Sequence, residues 1–167
     1  MDLRKRDDSW IEDAPEKCSA TRMVAASPDA IWAVVADHES WPEWFDAVQK
    51  VTVTDGAEGV GAERIVRLPG LVIDEEIVAW DVGERFAYRA TGFSRGAFES
   101  LNGRVTIEDL GDGRSRVTYN QGFAPVWWFR LPFKLARGKL EKNLRGTLDG
   151  SGRQSRVVPG PLASTRA

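Results

Sequence analysis

The chain has 167 residues, 25 of them acidic and 23 basic, for a net charge of -2; that is enough for one domain with a continuous core, but it supplies no basic field to gather phosphate backbones, so nucleic acid is not an expected partner. Cys18 is the only cysteine, which rules out an intramolecular disulfide framework and a multi-cysteine zinc site and suits a reducing cytoplasm. The start MDLRKRDDSW has no apolar run behind it, and no later segment approaches the ~20 apolar residues that cross a bilayer, so a soluble, unexported protein without stable membrane insertion is expected.

Residues 1–15 are dense in charge, end at Pro15 and read as a flexible lead-in, with Trp10 and Ile11 as the side chains able to dock. Alternation over 17–26 predicts a first strand. Ser27 is then a natural N-cap, because Pro28 at the first helical position has no N–H to lose and Asp29 suits the positive helix end. Ile31, Val34 and Val35 follow at helical spacing, with Trp32 on the flank. The helix is expected to stop near Asp37, and Trp41, Pro42 and Trp44 mark a second short helical turn.

The period then changes to two. Runs over 49–54, 62–68, 71–80, 85–90, 101–110 and 115–123 are rich in strand formers and are separated by turn sequences such as Pro69-Gly70 and Gly111-Asp112-Gly113. Phe86 and Tyr88 share one face; so do Leu101, Gly103, Val105 and Ile107, and Val117 with Tyr119. Six strands joined by short turns predict an antiparallel meander. Gly56, Gly59 and Gly61 lie between two strands with no helix N-terminus after them, so they are turn glycines and not a phosphate cradle.

After Pro125 the helical period returns. Phe133, Ala136, Leu140, Leu144 and Leu148 lie three or four residues apart opposite Lys and Arg, which predicts a long last helix beginning near Pro132. Gly138 inside it costs about 1 kcal/mol relative to alanine, so something is expected to pack closely there. The tail 151–167 has three arginines, no acidic residue and few large apolar side chains, and is expected to be disordered. The division is thus a lead-in over 1–15, one domain over 16–150 and a tail over 151–167.

A strand, two short helices, a meander and a long last helix is an α+β layout. With the segments SPDAIWAVVADHESWPEW, GRVTIEDLGDGRSRVTYN and KLEKNLRGTL, the chain resembles the START-like superfamily, and within it the bacterial polyketide cyclase/dehydrase and lipid-transport proteins related to the major birch pollen allergen. The resemblance implies the helix-grip fold: a curved antiparallel sheet of about seven strands wrapped around a long C-terminal helix, with two short helices after the first strand. It also implies an apolar cavity between sheet and helix that takes lipids, polyketides or aromatic compounds, with no cofactor. Function varies within the family, so what transfers is a pocket and not a reaction. For that pocket the candidate lining is Trp32, Val35, Trp80, Phe86, Tyr88, Val105, Tyr119, Trp128, Phe133 and Leu140.

Among groups able to carry chemistry, His38 is the only histidine, which excludes a multi-histidine metal site; no metal ligands are expected. Asp37 and Glu39 beside it are able to raise its pKa, but its place between the two helices favours a capping or surface role. Asp74, Glu75 and Glu76 interrupt an apolar strand, and whichever points inward is a carboxyl with a raised pKa. Alternation leaves the choice open: Glu76 shares parity with Val72, Val78 and Trp80, Glu75 with Ile73 and Ile77. Glu75, Glu76 and Tyr119 are therefore the catalytic candidates, with Arg67, Arg89, Arg104 and Gln121 as further pocket polar groups. Trp41 and Trp44 are expected to pack as structure, and Trp127 and Trp128 to form a cavity mouth or a partner surface.

These features support three functions. The first is binding or transport of a hydrophobic small molecule, which needs no catalytic set. The second is a cyclase or dehydratase, which requires a carboxylate, Tyr119 and an arginine to converge in one pocket. The third is a protein-interaction or membrane-surface module built on the Trp127-Trp128-Phe129 cluster or the basic tail.

Overall fold

The computed structural model describes residues 3, 6–54, 58–135, 138 and 142. Its elements are β1 (Glu16–Val24), α1 (Pro28–Ala36), α2 (Trp41–Trp44), β2 (Lys50–Thr54), β3 (Glu63–Leu68), β4 (Leu71–Asp81), β5 (Arg85–Phe93), β6 (Phe98–Gly111) and β7 (Arg114–Pro125). A 3-10 turn over Trp127–Phe129 leads into a C-terminal helix, in which residues 130–135, 138 and 142 are described. Leu140, Leu144, Leu148, Gly56 and the tail 151–167 lie outside the described residues.

Every strand pair is antiparallel, and the sheet order is β1-β7-β6-β5-β4-β3-β2. Strands β2 to β7 form the expected meander, and β1 closes on β7 with Glu16 opposite Phe123 and Val24 opposite Ser115. This is the helix-grip α+β arrangement.

Local chemistry sets the helix ends. The Ser27 hydroxyl accepts from the Ala30 N–H at 3.4 Å, and Pro28 opens α1, whose buried side is Ile31, Trp32, Val34 and Val35. Asp37 caps the next 3-10 turn, His38–Ser40, by accepting from the Ser40 N–H at 3.4 Å. The chain thereby folds back so that α2 lies against the sheet, with Trp41 and Trp44 buried and their ring centroids 4.9 Å apart.

Strand β4 departs from regular alternation. Its register with β5 shifts between Ile77 and Ala79, so that Ile77 faces Tyr88 while Trp80 faces Phe86. An extra residue of this kind reverses parity beyond it. Glu75 and Trp80 consequently share the inner face, although they are an odd number of residues apart.

The lead-in differs from expectation. Residues 8–13 form a 3-10 helix on the outer face of the sheet, capped by the Asp7 carboxylate, which accepts from the Trp10 N–H at 3.2 Å. Ile11 is only 3% exposed, and the Asn102 amide of β6 donates to the Asp7 carbonyl at 2.8 Å. Gly122 makes the seat: a Cβ there would stand 2.8 Å from the Ala14 Cβ and 3.2 Å from the Ile11 Cα. Burying Ile11 and Ala14 holds the segment, which charge density alone did not reveal. At Gly138, in contrast, an added Cβ would meet nothing within 4 Å among the described residues.

Candidate functional site

The turn between β3 and β4 sets Leu68 opposite Leu71, and by that register Arg64 lies opposite Glu75. Both point inward and are nearly sealed, their side chains 1% and 4% exposed. Arg64 Nε donates to Glu75 Oε2 at 2.8 Å and Nη1 donates to His38 Nδ1 at 2.9 Å. The guanidinium lies 4.0 Å from the centroid of the Trp41 ring, 4.8 Å from that of Tyr88 and 5.2 Å from that of Phe86. A buried cation is tolerated only with such pairing, and three aromatic faces add to it.

Arginine has donors only, so His38 Nδ1 must accept and the ring proton sits on Nε2. Burial, reinforced by the Arg64 charge, lowers the His38 pKa from 6.5 to about 3. The histidine is therefore a neutral acceptor, not an acid-base group. It is 5% exposed, and the capping work at this junction falls to Asp37, so the expected surface or capping role is corrected. Burial pushes the Glu75 carboxyl up, while Arg64 pulls it down through charge and hydrogen bond.

Beside this group, Tyr88 and Tyr119 hydroxyls are 2.6 Å apart. Gln121 Nε2 donates to Tyr88 at 3.0 Å and to Tyr119 at 3.2 Å. Only one hydroxyl proton can lie between the two oxygens, which leaves the other for a third acceptor. Burial pushes the Tyr88 pKa up to about 12, and it raises Tyr119 as well, so both remain protonated donors. Tyr88 fits because β6 carries Gly103 beneath its ring, where any Cβ would run into the phenol.

These groups border a cavity of about 250 Å³ between the sheet, α2 and the C-terminal helix. Its apolar walls include Trp41, Phe45, Ile73, Leu101, Phe123 and Phe133, and its polar lining among the described residues is Arg64, Glu75, Tyr88 and Gln121. Arg64 Nη2 and Gln121 Oε1 are buried without a hydrogen-bond partner among the described residues.

Of the residues expected to line the pocket, Tyr88 and Phe133 do so. Trp32, Val35, Phe86, Val105 and Tyr119 are core side chains outside the cavity lining, and half-buried Trp80 packs edge-on against Trp32 at 5.2 Å. Trp128 is 54% exposed and outside the lining. Glu76 faces the outer side, bound by Arg89 at 2.8 Å. Arg104 is also outside, held by Glu12 and near Asp8, and Arg67 is exposed. Among the described residues no three His, Cys, Asp or Glu side chains gather to hold a metal. Arg64 escaped the sequence reading, although the Pro69-Gly70 turn places it opposite Glu75 by simple counting.

A family model described as polyketide cyclase/dehydrase and lipid transport matches residues 15–153. An uncharacterised protein of Mycobacterium tuberculosis is 30% identical over 149 residues, covering 84% of this chain and 89% of its own. Two similar solved structures are the Zhui aromatase/cyclase of a Streptomyces species, with TM-score 0.74, 15% identity and coverage of 84% and 93%, and a START superfamily protein of Mycobacterium smegmatis, with TM-score 0.68, 18% identity and coverage of 83% and 97%. At these identities the structural likeness speaks for the fold.

Proposed function

This chain belongs to the polyketide cyclase/dehydrase and lipid transport family, and on that premise we propose that it binds a compact hydrophobic molecule carrying at least one oxygen acceptor. The observation behind this reading is the cavity of about 250 Å³, whose described lining is apolar except where Arg64, Glu75, Tyr88 and Gln121 meet. Apolar walls supply affinity without direction, and a few polar groups orient the occupant. The spare hydroxyl proton of the tyrosine pair suits a ligand carbonyl or phenol oxygen, since Tyr88 reaches the cavity and Tyr119 stands behind it. The volume falls just below the ~300–1,000 Å³ of drug-sized sites, which favours one or two rings or a short acyl chain over a full-length lipid.

One observation favours a second, enzymatic reading. A carboxyl raised by burial, an arginine and a protonated tyrosine converge on the same cavity. There Tyr88 donates to a substrate carbonyl while Glu75 removes an adjacent carbon-bound proton, as enolisation before cyclisation or loss of water requires. The aromatase/cyclase named among the structural neighbours supports that class of chemistry.

Native mass spectrometry of the purified chain, followed by organic extraction, tests the binding reading. A stoichiometric apolar molecule is expected; a protein that is empty and ignores a panel of aromatic, polyketide and acyl compounds refutes it. With a ligand in hand, Glu75→Gln separates the two readings: binding without turnover in either protein leaves a carrier, whereas turnover lost only in the variant makes Glu75 catalytic.

A further inference from the structure

The described residues leave seven large apolar side chains exposed, and four of them, Trp127, Trp128, Leu131 and Leu135, fall within nine positions. They are 80%, 54%, 68% and 82% exposed. Trp127, Leu131 and Leu135 recur every fourth residue, and Trp128 precedes Leu131 by three, so all four share one side of the helical segment. The opposite side carries Phe129 and Phe133, whose rings pack on Phe98 at 5.4 and 5.5 Å. The segment is therefore anchored by one stripe and bare along the other.

We propose that this bare stripe docks the protein on an anionic lipid surface. Among the described residues its rim holds three cations: Arg130 and Lys134 on the same turns, Lys134 paired with Glu16 at 3.9 Å, and exposed Arg95 in the neighbouring β5–β6 turn, with Glu99 at the start of β6. That turn is tied to the segment through the Val126 N–H, which donates to the Ala97 carbonyl at 3.0 Å. Tryptophan with Lys and Arg beside a leucine stripe is the composition that settles at the headgroup boundary.

The rest of the charge reinforces the orientation. Asp29, Asp81, Glu84, Glu108 and Asp109 border one groove, with Arg85 as the cation in its described lining. Glu108 and Asp109 lie at the far end of β6 from Phe98, about 35 Å away at the usual rise of a strand. Carboxylates thus predominate in this groove, although Glu108 is paired with Arg116 and Asp81 with Arg85, while Arg95, Arg130 and Lys134 lie at the end that carries the tryptophans; an anionic surface favours the latter end. A protein partner fits less well, because the four side chains present on the order of 500 Å², short of the ~800 Å² each side of a standard interface buries.

Co-sedimentation of the full chain with phosphatidylcholine vesicles, with and without phosphatidylglycerol, tests this without any cavity ligand. The chain is expected to pellet with the anionic vesicles at low salt and to be released at high salt. Trp127→Ser with Trp128→Ser abolishes pelleting, and Arg95→Glu with Arg130→Glu lowers it at least about tenfold. Both variants alter exposed side chains, so their thermal midpoints match the parent. No pelleting, equal pelleting by the tryptophan variant, or a concentration-dependent dimer that this variant loses would overturn the proposal, the last by assigning the face to a second copy.

Discussion

Replacing His38 with asparagine should flatten the acid side of the stability profile. In the folded chain His38 accepts a hydrogen bond from Arg64 and its pKa falls from 6.5 to about 3. The unfolded chain takes up the proton near 6.5 and the folded chain does not, so stability is full above 6.5 and drains away as pH falls toward 3. Each pH unit in that window is worth about 1.4 kcal/mol, hence about 2 kcal/mol by pH 5 and about 5 kcal/mol in full. Glu75 acts in the opposite sense: its raised folded pKa stabilises the chain at low pH and that contribution is lost as pH rises from 4.5 upward. Subtracting the variant's profile from the parent's removes the Glu75 contribution common to both. His38→Asn keeps an acceptor near the Nδ1 position for Arg64 and does not titrate. Urea unfolding at intervals between pH 7.5 and about 4.5 should show the parent losing stability relative to the variant by about 2 kcal/mol at pH 5. Parallel profiles would refute the buried, neutral histidine.

Arg64→Met strands a buried carboxylate and should cost about 3–5 kcal/mol, whereas Arg64→Met with Glu75→Met should recover most of that loss in urea unfolding; additive losses would contradict a coupled pair. Gly103→Ala drives a methyl group into the Tyr88 ring, and an overpacking cost of about 1–3 kcal/mol is expected by thermal denaturation together with a disrupted tyrosine pair. Tyr88→Phe should leave the fold intact and weaken a bound oxygen-bearing ligand about fivefold by calorimetry, the size of one neutral hydrogen bond.

The secondary structure was legible because each element carries its own local signal. Ser27-Pro28 marks the start of α1, Trp41-Pro42 marks α2, and the turn glycines and prolines bracket strands whose buried faces alternate. The site was legible only in part. Period-two reasoning had no means to choose between Glu75 and Glu76, because the irregularity after Ile77 moves Trp80 to the other parity, and parity with Trp80 had pointed to Glu76. Arg64 was within reach, since the register from Pro69-Gly70 sets it opposite Glu75, but ERIVRL offers an arginine of each parity. His38 was not within reach: its partner is 26 residues away, and nothing in ADHES distinguishes a buried acceptor from a surface cap. Ile11 could be read as a side chain able to dock, but its seat on β7 at Gly122 is a long-range matter that the sequence does not place.

The 3-10 helix over residues 8–13 and strand β1 also impose an order on assembly. The Asp7 carbonyl waits for Asn102, 95 residues later, and Glu16 waits for Phe123. Between them β2 to β6 pair with immediate neighbours through short turns, the contacts that form fastest. At ~5–20 residues per second of synthesis, this segment spends roughly 5–20 s without its partners. Ile11, Cys18 and Ala20, all buried in the finished fold, are uncovered throughout that interval. The growing chain is therefore open to chaperones and to mispairing at this segment and at β1, and the arrival of β7 ends that exposure.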